Sequence, residues 1–386
     1  MKENRLIMVT FFFAILFCIC SCVNDPTPPE TSATNDGYNC CFILNEGLRD
    51  TDNASITKYN FDNHSYTNYY FRKSNSNLKL GDNANDIVLW DSLAFVSVSG
   101  TGTIEVFSVY DGKSKGRITL PQWTMPRSIL IVNDTLAFVS AYIEYSDYYV
   151  YYFNPSDLTT SQENILDNKI VVGSHPEGIC YDSLNQKLYV VNSGYGDFDC
   201  ENPTASTISI IDINAKTEIT KIKTDPNPNR IYFNNNKIYV VSWGLPSNIN
   251  ENKGSIIEYD PNNMEIIRKW KANIYDLCFN KTQDTLYFIN SNWNSTNMEQ
   301  SSPGIYLVNL NEVNPIPELI ISNQNKYDIW TAIQVNFTDN SIWIANSFKF
   351  NTDGEIMIYD RSNLRTKFPI GNIPNNIIFY KNNFYD

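Results

Sequence analysis

The segment Leu188-Tyr189-Val190-Val191-Asn192-Ser193-Gly194 decides the fold, because variants of it recur along the whole 386-residue chain. Each variant is a short apolar, β-branched or aromatic run that ends near a small or polar residue. A period of about 43 to 56 residues is typical of arrays that repeat one structural unit. Seven copies begin at Cys41, Leu93, Leu136, Leu188, Ile238, Leu286 and Ile342.

Each copy is flanked by further strand patterns. A second apolar run precedes most copies, and an alternating run follows, as at 102–110, 206–214, 254–262, 304–311 and 354–362. Turn clusters such as Asn133-Asp134 separate these runs, and no segment has helical periodicity of useful length. Four antiparallel strands in each repeat form a propeller blade. The sequence therefore predicts an all-β, seven-bladed β-propeller.

The two ends of the chain complete this count. The copy at Cys41 lacks a preceding strand, and the run Pro374-Asn375-Asn376-Ile377-Ile378 near the C-terminus has no blade of its own. We expect N- and C-terminal strands to close one blade together, which removes an exposed sheet edge. A β-helix or two stacked sandwiches would leave both terminal strands unpaired.

The N-terminus has the pattern of an export signal. Lys2 and Arg5 precede an apolar run at 6–17 that is too short to cross a membrane as a helix. Cys22 is the one cysteine of this region that follows a small residue, Ser21. We therefore expect Cys22 to be lipidated. The alternatives are a plain secretory signal and a short uncleaved anchor. The predicted organisation is a signal peptide at 1–21, a flexible tether at 22–38 and the propeller at 39–386.

Composition excludes several classes of partner. A net charge of −13 argues against binding to nucleic acid or directly to anionic lipid headgroups. The acidic run Asp197, Asp199 and Glu201 lacks the Gly-centred spacing of a calcium loop, and the remaining cysteines have no zinc-type spacing. We predict neither a metal nor a cofactor, and contact with the membrane through the lipid alone.

Candidate binding residues fall in two groups on one predicted face. The loops between second and third strands are long and emerge on the same side as the connections between blades, where a rigid scaffold usually carries its binding groups. The rings of the loops are Tyr142, Tyr145, Tyr195, Phe198, Trp243 and Trp293, and the connections bring Arg127, Glu177, Arg230 and Trp330. Such rings offer large contact area to a partly apolar ligand, but they would also serve to pack the loops onto the blades.

The charged residues have two interpretations. Arg127 and Glu177 each follow a proline at the start of an inner strand, and Arg230 lies two residues after one, so all three should surround the mouth of the central channel. They would either neutralise one another as a polar plug or bind a ligand, with the arginines on phosphate or carbonyl oxygens and Glu177 on an amide or hydroxyl. Catalysis has little support, since His175 has no evident second histidine or nucleophile to act with.

Several motifs resemble one family of propellers. Tyr189-Val190-Val191-Asn192 is one substitution from the YVTN signature of YncE-type proteins. The motifs Leu44-Asn45-Glu46-Gly47, Leu80-Gly81-Asp82, Pro176-Glu177-Gly178 and Pro226-Asn227-Pro228-Asn229 resemble blade signatures of YncE-like surface lipoproteins of Gram-negative gut-type bacteria, a group that includes the BtuG cobalamin-binding proteins.

This resemblance implies a function. It implies a non-enzymatic lipoprotein of the outer membrane, facing the cell exterior, that captures cobalamin or another corrinoid for a TonB-dependent transporter. The chain departs from the family at 142–148, where a Tyr-rich segment replaces a short Gly-containing turn, so a different ligand stays open. The alternatives are a scaffold for adhesion or assembly that binds protein or glycan, and a propeller lyase that uses His175.

Overall fold

The protein folds as a seven-bladed β-propeller, as the repeats predict. The computed structural model describes residues 38–143, 146–158, 165–195, 202–245, 253–294, 299–322, 325, 327–348, 350 and 352–381, with the backbone alone described at 253, 291–294 and 299–303. Within these residues, 28 strands form seven four-stranded antiparallel sheets. The signal, lipidation site and tether predicted at 1–37 lie outside the described residues.

In every blade, the four strands follow one another in chain order from the central channel outward, except that the innermost strand of blade 1 comes from the C-terminus. Blade 1 contains β28 (Pro374–Tyr380), β1 (Cys40–Asn45), β2 (Ser55–Asn60) and β3 (Ser65–Thr67). Blade 2 contains β4 (Ala84–Trp90), β5 (Leu93–Val98), β6 (Thr103–Ser108) and β7 (Ser114–Thr119). Blade 3 contains β8 (Thr124–Asn133), β9 (Leu136–Ile143), β10 (Asp147–Phe153) and β11 (Lys169–Val171). Blade 4 contains β12 (Pro176–Asp182), β13 (Lys187–Asn192), β14 (Thr207–Asp212) and β15 (Thr217–Lys223).

The remaining blades follow the same order. Blade 5 contains β16 (Pro228–Asn234), β17 (Lys237–Gly244), β18 (Lys253–Tyr259) and β19 (Ile266–Lys271). Blade 6 contains β20 (Ile274–Phe279), β21 (Thr285–Asn294), β22 (Glu299–Asn309) and β23 (Glu318–Ser322). Blade 7 contains β24 (Trp330–Val335), β25 (Ile342–Asn346), β26 (Asp353–Asp360) and β27 (Asn363–Asn372).

A short helix lies between β3 and β4. The helix α1 (Tyr70–Ser74) lies in the connection from blade 1 to blade 2 and buries Phe71. It is too short for the sequence to show helical periodicity. No helix of the described segments has the length and apolar character needed to cross a membrane.

The core consists of apolar layers between neighbouring blades. Each of the seven junctions between blades has its own cluster of buried side chains. The second and third strands are therefore covered on both faces, and β5 and β14 are almost wholly buried. Strands buried on both faces need continuous apolar runs, which explains why the recurring segment is apolar at nearly every position.

The terminal strands close the ring. β1 pairs antiparallel with β28, and Ile43 lies opposite Ile377. The prediction that both chain ends build one blade is confirmed. On the far side of this blade, Trp343 of β25 packs edge-on against Tyr59 of β2 at 5.2 Å and against Phe379 of β28 at 5.3 Å between ring centroids. Trp343 thus joins the last blade to both chain ends.

Every innermost strand begins with a β-bulge. Its register against the second strand shifts within the first residues, as between Ala84 and Asp86 and between Pro228 and Arg230. The same shift occurs in the other five blades. A bulge turns a side chain away from the regular alternation, and here it does so at the end of the channel from which the long loops extend.

The junction at Trp343 gives a test of the closed ring. We expect Trp343→Ala to lower the free energy of unfolding by about 3 to 5 kcal/mol, because it removes a buried ring that contacts two other elements. Urea unfolding followed by circular dichroism measures this loss. Trp123→Ala is the matched control, because Trp123 is 76% exposed and should change stability little. Equal stability of the two variants would contradict the closure at blade 1.

Candidate functional site

The long loops and the starts of the innermost strands share one face. The backbone N–H of Ser193, at the start of the loop after β13, donates to the carbonyl of His175 before β12 at 2.9 Å. Trp243 makes the same bond to Asn227 at 2.9 Å, and Glu46 makes it to Ile373 at 2.8 Å. We call this side of the propeller the loop face, and the opening of the central channel on it the channel mouth.

Arg127 lies at the channel mouth between two neighbouring blades. Its Nε donates to Oε2 of Glu177 in blade 4 at 2.7 Å, and its Nη1 donates to Oδ1 of Asn85 in blade 2. Burial raises the pKa of Glu177, and the charge of Arg127 opposes that rise. Both groups are therefore engaged with each other rather than with solvent, and these contacts favour the polar plug over the open arginine site.

Arg230 reaches across the channel. Its Nε lies 3.3 Å from Oδ1 of Asp276 in the next blade, and its Nη2 donates to the carbonyl of Asn375 in blade 1 at 3.5 Å. Blades 5 and 1 are not neighbours, so this contact must cross the axis. The carboxylate of Asp276 also accepts from the hydroxyl of Tyr232 at 2.9 Å and from the backbone N–H of Ile333 at 3.2 Å.

Glu46 adds an acidic group that the sequence did not single out. It follows β1 directly, and its Oε2 accepts from Nδ2 of Asn375 at 3.4 Å. Burial raises the pKa of Glu46, while the charges of Arg127 and Arg230 act in the opposite direction. In the sequence Glu46 belongs to a strand-end motif whose Gly47 adopts a positive φ of 81°, so its position suggested a structural role.

Three tyrosines surround His175 beside the channel mouth. The His175 ring lies 4.9 Å from Tyr142, 5.0 Å from Tyr148 and 6.3 Å from Tyr195 between ring centroids. Tyr142 and Tyr148 face each other across β9 and β10, so the segment predicted as a loop continues the hairpin. We call these four residues the tyrosine cluster. Tyr195 is 65% exposed and His175 only 8%, so the tyrosine offers the accessible surface.

Trp243 forms a second aromatic surface on the same face. Its ring packs on Tyr275 with centroids 5.5 Å apart, and its Nε1 donates to the carbonyl of Tyr275 at 3.4 Å. Trp243 remains 39% exposed. Because Tyr275 belongs to β20, the indole lies beside the start of an innermost strand.

Trp330 does not belong to this surface. The sequence placed it among the ligand-binding residues, but its side chain is 0% exposed and packs in the cluster between blades 6 and 7. The reason is its position in the strand. Trp330 is the first residue of β24, and the β-bulge that shifts the register against β25 comes only after it. Its ring offers no surface to a ligand.

The side chains of several other candidate residues are not described. The segment 291–303 was expected to be a loop, whereas β21 and β22 extend through 291–294 and 299–303 and place Trp293 opposite Gln300. Only the backbone of Trp293 is described. Tyr145, Phe198, the acidic run at 197–201 and the lipidation site Cys22 lie outside the described residues.

The described side chains hold no candidate metal site, and His175 contacts a buried serine. No cluster of three or more His, Cys, Asp or Glu side chains that could hold a metal occurs in the described segments. Ser174 Oγ lies 2.9 Å from Nδ1 of His175, but Ser174 is only 1% exposed. The chemistry this face offers is apolar contact, hydrogen bonding and charge.

Comparison with known proteins supports the fold. No protein-family model and no curated protein sequence matches the chain. A functionally unknown protein from Desulfotomaculum acetoxidans is similar in structure, with a TM-score of 0.63 and 11% identity over 89% of this chain and 99% of that one. A quinoprotein alcohol dehydrogenase-like protein from Bacteroides thetaiotaomicron matches with a TM-score of 0.60 and 12% identity over 89% and 78% of the two chains.

A third structure extends the comparison. A protein from Bacteroides uniformis described as a 6-phosphogluconolactonase matches with a TM-score of 0.59 and 9% identity over 88% of this chain and 98% of that one. At such identities the likeness shows a shared propeller scaffold, and one scaffold carries many functions.

The raised pKa of the partly buried Glu46 predicts a pH effect on stability. An acid whose pKa is raised on folding holds its proton more tightly in the folded state, so its stabilising effect is present at low pH and is lost as pH rises through the folded pKa. Ionised Glu46 should therefore destabilise the protein. We expect the melting temperature of Glu46→Gln, relative to the wild type, to increase from about pH 4.5 to about pH 8.

Asp111 provides the control, because folding lowers the pKa of its carboxyl group rather than raising it. The backbone N–H of Lys113 donates to Asp111 at 3.1 Å and lowers the pKa of that carboxyl group. Asp111→Asn should therefore be less stable than the wild type by an amount that stays the same from about pH 4.5 to about pH 8, because Asp111 is ionised in both the folded and the unfolded state over that range. Differential scanning fluorimetry measures both variants. A melting temperature of Glu46→Gln that tracks the wild type at every pH would contradict the assignment of Glu46 as a partly buried charge that destabilises the protein.

Proposed function

We propose that this protein captures a large, partly apolar ligand bearing amide groups on its loop face, and that the ligand is cobalamin or another corrinoid. One observation carries the proposal: exposed rings and buried polar groups meet on this face, with Tyr195 and Trp243 beside the charges of the channel mouth. The corrinoid class comes from the resemblance of the blade motifs to those of the BtuG proteins.

The surface suits such a ligand physically. A corrinoid has a broad, flat ring system with many primary amides around its edge. Tyrosine and tryptophan rings supply contact area at low cost in side-chain entropy and carry a hydrogen-bonding group at one end. The channel mouth beside these rings holds polar groups, which the amides of such a ligand would meet. A binding role, rather than a catalytic one, makes use of all these features.

An anchored protein would receive its ligand only through an accessible loop face. We propose that the loop face points outward from the outer membrane, where it would receive the ligand and pass it to a TonB-dependent transporter.

The anchor has a direct test. We expect Cys22→Ser to move the protein from the membrane fraction to the soluble fraction, because acyl chains contribute about 0.8 kcal/mol for each buried methylene. Fractionation followed by immunoblotting measures this shift, and Cys20→Ser is the matched control that should stay membrane-bound. If both variants remain in the membrane fraction, lipidation at Cys22 is not the anchor.

Isothermal titration with cyanocobalamin tests the ligand. We expect binding by the wild type at micromolar protein and a loss of about thirtyfold in affinity for Trp243→Ala and for Tyr195→Ala, since removal of a central anchor costs about 2 kcal/mol. The melting temperatures should change little, because these exposed rings contribute little to the packing between blades.

Tyr66→Ala is the control for these variants. Tyr66 is 41% exposed, close to the value for Trp243, but lies on the outermost strand of blade 1. It should bind like the wild type. No heat with the wild type would overturn the corrinoid proposal, and normal binding by both Trp243→Ala and Tyr195→Ala would overturn the location on the loop face.

A further inference from the structure

The carboxylates at the channel mouth outnumber the cationic groups. Glu46, Asp86, Glu177 and Asp276 lie there together with the two guanidinium groups of Arg127 and Arg230. With all six groups ionised, the mouth carries more negative than positive charge. A site with this balance repels an anion and attracts a cation or a hydrogen-bond donor.

Three of the four carboxylates already have their partners. Asp86 accepts from the hydroxyl of Ser128 and the backbone N–H of Ile129, both at 2.9 Å, and from Nδ2 of Asn376 at 3.0 Å. Asp276 accepts from Tyr232 and Ile333, and Glu177 accepts from Arg127. These carboxylates hold neighbouring blades together and leave little capacity for a ligand.

Glu46 differs from them. Its carboxylate accepts one long hydrogen bond, from Asn375 at 3.4 Å. Among the residues that the structure describes, it forms no ion pair with a Lys or Arg side chain. A carboxylate that has lost water on burial gains most from a new donor.

A second acceptor lies beside Glu46. Nδ2 of Asn375 points toward acceptors, with Oε2 of Glu46 at 3.4 Å and the carbonyl of Ala84 at 3.0 Å. This orientation leaves Oδ1 of Asn375 buried without a hydrogen-bond partner in the described part of the chain. The unpartnered Oδ1 of Asn375 and the weakly bonded carboxylate of Glu46 thus lie together on one side of the mouth.

Arg127 and Arg230 have less capacity than Glu46 to bind a group of the ligand. Arg127 donates to Glu177 and Asn85. Nε of Arg230 has no hydrogen-bond partner in the described part of the chain, but it lies 3.3 Å from the carboxylate of Asp276. A ligand phosphate or carboxylate would have to displace Glu177 from Arg127 or approach Arg230 beside the negative charge of Asp276, and either is costly.

We propose that the channel mouth recognises an N–H donor group of the ligand, a primary amide or an ammonium group, through Glu46 and Asn375, and that it selects against anionic groups. This inference rests on the proposed function in one respect, that the ligand occupies the loop face. It replaces the arginines with Glu46 as the residue that sets specificity at the mouth.

Titration calorimetry with two probes tests this assignment. Cyanocobalamin should bind Glu46→Gln about tenfold more weakly than the wild type, because hydrogen bonds to charged groups are the stronger ones. A cyanocobalamin derivative with one side-chain amide hydrolysed to a carboxylate should bind the wild type less well, and this penalty should shrink in Glu46→Gln. Glu312→Gln, on the opposite face, is the control and should bind both probes like the wild type.

A second measurement does not depend on corrinoid binding. Methylammonium carries N–H donors and tetramethylammonium carries none, although both have one positive charge. At equal millimolar concentrations, methylammonium should raise the melting temperature of the wild type more than tetramethylammonium does, since a ligand of the folded state stabilises it. The difference should disappear in Glu46→Gln and persist in Glu312→Gln.

The outcomes separate the two proposals. If the wild type ignores cyanocobalamin but shows the methylammonium effect through Glu46, the corrinoid function is wrong and donor recognition at the mouth stands. If cyanocobalamin binds the wild type and Glu46→Gln equally well, or methylammonium and tetramethylammonium act alike on the wild type, the assignment of Glu46 is overturned.

Discussion

Apolar packing between blades is the constraint on which the rest of the structure depends. A four-stranded blade cannot bury both of its faces alone, and each of the seven junctions supplies a separate cluster of buried side chains. The ring is complete only because β1 pairs with β28, which sets the first and last blades against each other at Trp343. A rigid ring, in turn, fixes the position of every loop on its two faces.

The β-bulges place side chains of several blades at the channel mouth. Because each innermost strand begins with a shift in register, side chains such as Arg127 and Glu177 leave the regular alternation and meet at the channel mouth. The loops between second and third strands then place Tyr195 and Trp243 around that opening. The site is therefore built from short contributions of many blades, and no single segment of sequence contains it.

This construction explains what could be predicted from the sequence. The runs at Leu93 and Leu188 predicted strands correctly because burial on both faces leaves an unmistakable apolar pattern. The extension of β21 through 291–294 and of β22 through 299–303 was missed, since their polar residues are typical of loops. Trp330 looked like a residue of the mouth, but its position one residue before the bulge places it in the core.

Glu46 shows the limit most clearly. Its neighbours at the mouth include Asn375, which is 329 residues away in the sequence, and no local pattern reports such a contact. The positions of Arg127, Glu177 and Arg230 were predicted from their prolines, but their mutual pairing depends on the geometry of several blades. Residue types therefore indicated which groups surround the channel. The packing of the blades decided which of these groups pair with one another and which keep a capacity for further hydrogen bonds.

Hydrogen–deuterium exchange with and without cyanocobalamin tests the central claim, capture of a ligand on the loop face, most directly. Slower exchange in the presence of the ligand should be confined to segments of that face, around 46–48, 193–195 and 243–245. The hairpins on the opposite face, at 183–186 and 281–284, should exchange at unchanged rates. Protection of those hairpins, or no protection anywhere on the loop face under conditions where the ligand is bound, would contradict this account.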